Sequence, residues 1–143
     1  MQSLAETRKS RQVKQDKLWV TVEDPRFVEI ILRSMGDEDK KNIITCVIPE
    51  PRMISDIIKM TKIPQTSGYR KINRLIHDGL LIPQGYITAH DGKRIAKYTA
   101  IFDDINILLE KNKVVVKIHL ANSAIYVAQV IAKFLRTKRA QFV

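Results

Sequence analysis

The sequence predicts an α+β fold, mainly α, and three observations carry that prediction. Residues 24–78 hold four stretches with apolar side chains at helical spacing, each bounded by capping or breaking residues. After Gly79 the apolar residues alternate instead, which is the period of a half-buried strand. Two polar turns, one at Asp91-Gly92 and one over EKNK, divide that alternating region into hairpins.

Each element follows from local chemistry. Asp24 caps a first helix and Pro25 opens it, because the fixed φ of proline suits the first helical position. Phe27, Ile30, Ile31 and Met35 recur at helical spacing, and Gly36 supplies the stop. Asp37 caps a second helix whose inner face is Ile43, Ile44, Val47 and Ile48, closed by Pro49 and Pro51. A short third helix, SDIIKMT, is capped by Ser55 or Asp56 and buried through Ile57, Ile58 and Met60. After the turn KIP, Pro64 opens a fourth helix over 64–78, with Ile72, Leu75 and Ile76 inward. Gly79 ends it, since the residue past a helix commonly needs positive φ.

LLIPQGYITAH and KRIAKYTAI then form a hairpin over 80–101, with Asp91-Gly92 as a two-residue turn. Ile105, Ile107 and Leu109, followed by Val114, Val116 and Ile118, alternate about EKNK as a second hairpin, a helix over FDDINILLEK being the competing reading. The last element is a helix over 121–138. Its polar stripe is Asn122, Tyr126, Gln129, Lys133 and Arg136, and the apolar arc around the rest exceeds half the circumference. One small domain needs only about 100° of apolar face, so the surplus predicts a second contact, most simply with a twin subunit in a homodimer. The expected organisation is a flexible basic arm over 1–17, a domain over 18–101, and a pairing or effector-responsive element over 102–143.

Composition narrows the function. The 143 residues are 45% hydrophobic and 28% charged, values that belong to a folded globular chain. No apolar run reaches the roughly 18 to 20 residues of a membrane span, and the opening residues lack a signal-peptide core, so a cytoplasmic protein is expected. The single cysteine, Cys46, allows no intrachain disulfide and no cysteine-pair zinc site. It is expected to be a buried small hydrophobe. Lys and Arg number 25 against 15 Asp and Glu, and the resulting +10 favours a polyanionic partner. There is no Gly-rich phosphate loop, His/Glu metal pair or nucleophile elbow, so neither an enzyme nor a cofactor is expected.

Three short helices followed by a hairpin is the order of a winged helix-turn-helix. Here the residues also resemble a family. The segment ISDIIKMTKIPQTSGYRKINRLIHDGLLIPQG looks like the core of ArsR-like and related archaeal winged-helix regulators. The matching positions are Ile63-Pro64, Thr66-Ser67, Tyr69-Arg70, Ile72, Leu75, Gly79-Leu80-Leu81-Ile82 and the wing GKRIAKYTAI, within 37–101. The resemblance implies sequence-specific binding of double-stranded DNA by a transcriptional regulator. Two departures stand out. Gly68 replaces an inward apolar residue, implying a less rigid helix. The cysteine-rich metal box is absent and His77, His90 and His119 lack ligand spacing, so no metal is carried over.

With Ile72, Leu75 and Ile76 inward, Gln65, Thr66, Tyr69, Arg70 and Asn73 face outward, and Ser67, Lys71 and Arg74 flank them. Gln pairs bidentately with adenine and Arg70 with guanine, while Thr66 suits a thymine methyl or a phosphate. Lys93, Arg94 and Lys97 place positive charge on the wing for the backbone. The alternative is a winged-helix interaction module of the transcription or replication machinery. Operator, direction of regulation and any small-molecule effector are not written in these residues.

Overall fold

The computed structural model describes residues 19–121. The predicted arm over 1–17, and all but the first residue of the predicted helix over 121–138 with its pairing role, lie outside the described residues. Those described form four helices and two three-stranded antiparallel sheets, the mixed α+β class expected. None of these helices is long and apolar enough to cross a membrane.

The chain opens with β1 (Trp19–Val22), a strand the sequence reading did not foresee. Helix α1 (Pro25–Met35) starts as predicted, the Asp24 carboxylate accepting from the Arg26 N–H at 2.9 Å. Gly36 ends it at φ −78°, an ordinary right-handed value, so its stop does not depend on glycine's freedom. Helix α2 (Glu38–Val47) is capped by Asp37, which accepts from the Lys40 N–H at 3.1 Å. Ile48 falls past the end of α2 and is exposed, not part of the inner face.

The two residues ahead of the third helix form β2 (Arg52–Met53) against the wing, also unforeseen. Helix α3 (Ile54–Thr61) therefore begins earlier than expected, at a Met53 cap that offers no side-chain acceptor; Ser55 and Asp56 lie within its first turn. Met60 is 48% exposed, which corrects its assignment to the core. Lys62 takes the left-handed conformation, φ 57°, to turn the chain into α4 (Gln65–His77). Pro64 is the residue before the helix, and Gly79 has φ 83° as predicted. Gly68 is buried where α3 crosses α4; a Cβ there would stand 3.4 Å from Ile58 Cγ1 and 3.6 Å from Ile63 Cγ2. The site has room for one methyl group at ordinary contact distance, with the side chains of Ile58 and Ile63 facing it.

Strands β3 (Leu81–Thr88) and β4 (Arg94–Ala100) make the predicted wing, with order β2-β4-β3. Its turn spans three residues rather than two: Ala89 N–H bonds Lys93 O at 2.8 Å, Gly92 N–H bonds Ala89 O at 2.9 Å, and Gly92 has φ 82°. That is a type I turn followed by a left-handed glycine, the usual three-residue hairpin. Strands β5 (Phe102–Glu110) and β6 (Lys113–Leu120) confirm the second hairpin and exclude the competing helix. Its turn residues Lys111 and Asn112 have φ 47° and 65°, the two left-handed positions of a type I′ turn. The order β1-β6-β5 closes that sheet. One apolar cluster joins everything: Phe27 and Ile31, Ile43 and Val47, Ile57, Ile72 and Leu75, Leu80 and Ile101, Val116 and Ile118. It runs on both sides of Ile101.

Candidate nucleic-acid interface

Helix α4 has one sealed side and one open side. Gly68, Ile72 and Leu75 are buried and Ile76 is half-buried, so three- and four-residue spacing forces the remaining side chains outward. Gln65, Thr66, Tyr69, Arg70, Asn73 and Arg74 are all exposed, as expected. Arg74 lies 3.4 Å from the carboxylate of Asp78, one turn on. The Ser67 hydroxyl donates to Pro64 O at 3.1 Å and helps close the first turn, so its local role is structural.

Lys71 is placed differently from the expectation. Its Nζ lies 3.1 Å from Asp37 Oδ1 and 2.9 Å from Asp39 Oδ2, both at the N-terminus of α2, and its side chain is only 21% exposed. Hydrogen bonds from Nζ to Asp39 and Asp37 hold the Lys71 ammonium above its ordinary range. At Asp37, desolvation pushes the carboxyl up, but the Lys40 N–H and the Lys71 ammonium outweigh it and hold it below the ordinary 3.8. Lys71 thus ties α4 to α2 and is not a free cation on the open face.

Two residues absent from the predicted set belong there. His77 is exposed and, in helical projection, falls between Arg70 and Asn73. Lys40 reaches the same place from α2. Between the start of α2 and the outer side of α4 an open groove of about 650 Å³ is lined by Lys40, Arg70, Asn73, Arg74 and His77, with Asp37 and Lys71 beside them. Extending the projection through the last turn of the helix would have found His77. Lys40 is visible only once α2 is docked.

The wing cations fall on different faces. Lys93 sits beside the turn, its N–H bonded to Asp91 Oδ1 at 3.1 Å. The Arg94 guanidinium lies 4.3 Å from the centre of the Tyr86 ring, a cation–π contact that fixes its direction while leaving it exposed. Lys97 is half-buried opposite Met53 of β2 and, by strand alternation, on the other face from Arg94. That other face also carries the exposed pair Ile87 and Ile95.

The remaining reactive side chains lie away from this surface. Cys46 is half-buried rather than buried; burial pushes its thiol up, more than nearby Arg52 lowers it, and Sγ donates to Ile43 O. His119 packs edge-on to Trp19 and contacts Asp103 through Nδ1, while His90 lies in the wing turn and His77 in α4. Among the described residues no three His, Cys, Asp or Glu side chains gather as a metal site. No protein family, no curated protein and no solved structure matches the chain.

Proposed function

We propose that this chain is a winged helix-turn-helix transcriptional regulator that binds double-stranded DNA, acts as a homodimer and works in the cytoplasm. The observation that carries the reading is the open face of α4. Gln65, Thr66, Tyr69, Arg70, Asn73, Arg74 and His77 form a surface of donors and cations, with the carboxylates of Asp37 and Asp78 at its margins, on a helix whose other side is sealed into the core. A helix offered in that way fits the major groove, where Arg reads guanine and Gln or Asn reads adenine. In this reading α3 and Lys62 hold α4 at its angle, and Lys40 grips a flanking phosphate. Lys93 and Arg94 meet the backbone beside the wing. In this reading the protein works by occupancy.

A second reading, a protein-interaction module, is favoured by one feature: the exposed aliphatic pair Ile87 and Ile95 on the wing. The two readings separate in a salt titration by fluorescence anisotropy on a selected and a scrambled duplex. Arg70→Ala is expected to cost about 1–3 kcal/mol on the selected duplex only. Lys93→Ala with Arg94→Ala is expected to weaken both duplexes and lower the salt slope by about one unit per lost contact. Unchanged specificity in the first variant and unchanged slope in the second would hand the surface to a protein partner.

A further inference from the structure

We propose that the groove between α2 and α4 seats a backbone phosphate of the duplex, and that His77 is its proton-controlled contact, holding the phosphate only while the imidazole is charged. This rests on the duplex-binding reading and adds to it a dependence on pH.

Two elements build the groove. Asp37 and Lys40 come from the start of α2, and Arg70, Lys71, Asn73, Arg74 and His77 from the outer side of α4, around a space of about 650 Å³. Among the described residues no third element lines it. His77 is the last residue of α4, and its spacing from Arg70, Asn73 and Arg74 stacks all four along one stripe of the helix.

The carboxylates here are already engaged. Asp37 and Asp39 hold Lys71 at 3.1 and 2.9 Å, and Asp78 faces Arg74 at 3.4 Å. Lys40, Arg70 and His77 make no ion pair with any described residue and stand at the same concave surface. Cations gathered without counter-charge in a cleft concentrate anions. A phosphate diester presents two acceptor oxygens, and charged N–H donors bind such oxygens most strongly.

Protons enter through one residue type. Lys and Arg stay charged across the neutral range. Lys71 does so with a margin, because Asp39 and Asp37 hold it above its ordinary value, and Asp37 stays ionised because it is held below 3.8. Histidine is the side chain whose charge changes between about pH 5 and 8. Neutral imidazole offers one N–H, whereas the charged ring offers two together with a full positive charge. A phosphate against His77 therefore favours the charged ring, a proton is taken up as the duplex binds, and affinity rises as pH falls. The other two histidines lie elsewhere: His90 is in the wing turn, and His119 is buried against Trp19 and Asp103.

The test is fluorescence anisotropy of the full chain on a labelled duplex of arbitrary sequence, since a phosphate contact acts on every sequence alike, with salt titrations at about pH 6 and about pH 8. Wild type is expected to bind about three- to tenfold tighter at the lower pH, and its salt slope to steepen there by about 0.9, the value of one added phosphate contact. His77→Gln, polar but never charged, is expected to show the shallower slope at both pH values. His77→Arg is expected to show the steeper slope at both. Circular dichroism should be unchanged in each, because the residue is exposed at a helix end. Equal wild-type affinity and slope at the two pH values overturn the proposal. So does a pH response that survives in His77→Gln, and its removal by His90→Gln instead moves the titrating contact to the wing. Failure of the duplex reading has a different appearance: wild type then binds at neither pH even at low salt, whereas equal binding at both pH values leaves that reading standing and removes only the role of His77.

Discussion

Asp37 does two jobs through one carboxylate, capping α2 and holding Lys71. Substitution separates them. Asp37→Ala removes both and is expected to cost about 1 kcal/mol, within the range for lost caps; Asp37→Asn keeps the cap and should cost less in a urea titration at pH 7. The sign with pH follows from the carboxyl's lowered value. Its contribution is complete above the unfolded value near 3.8 and is lost as pH falls through the lower folded value. Wild type should therefore lose stability more steeply than Asp37→Asn below about pH 4. Lys71 has the opposite sense: its raised value keeps its contribution complete at neutral pH and surrenders it only in strong alkali.

The same pair alters what Lys71 can offer a polyanion. With two carboxylates within hydrogen-bonding distance, Lys71→Ala should leave the salt slope of duplex binding nearly unchanged. Asp39→Asn, which releases half of the restraint, should steepen that slope by up to about one unit and tighten binding to every duplex alike. Anisotropy at several salt concentrations reads both. The helical projection could not reveal this, because Asp37 and Asp39 lie 34 and 32 positions earlier in the chain.

At the level of elements, what was legible is what is local. Asp24-Pro25, Asp37 and Gly79 fix helix ends through their own backbone and side-chain chemistry, and each is where the sequence put it. Strands β1 and β2 were not legible. Four and two residues long, they exist only because a distant partner pairs with them, Trp19 with His119 and Arg52 with Tyr98. Met60 and Ile48 match the apolar period yet are exposed, since α3 is too short and α2 too early in ending to bury them. Gly68 is a further case, its site having room that only the packing shows. Its nearest neighbours stand at 3.4 Å or more and are side-chain atoms, so Gly68→Ala fits. It should stabilise by about 0.5–1 kcal/mol through helix propensity, while Gly68→Leu should push α3 away and lower the melting temperature.

Across the molecule, β1 threads the first described residues into the sheet built by the last ones, so the hairpin β5–β6 cannot be an independent appendage. Global unfolding should accordingly be one transition, with circular dichroism and Trp19 fluorescence tracing coincident curves in urea. Two separate midpoints would show that the residues after Ile101 melt alone.

The short strand β2 has a consequence of a different kind. Arg52 and Met53 lie along β4 immediately before α3, and the Thr99 hydroxyl reaches back to Val47 O. Helix α2 and the start of α3 are thereby riveted to the hairpin β3–β4 at two points, like the arms of a locked caliper. A locked caliper measures. If DNA is what it closes on, the distance from base edge to neighbouring backbone is set by the protein, and duplexes whose grooves already have that width are held at the least cost in bending.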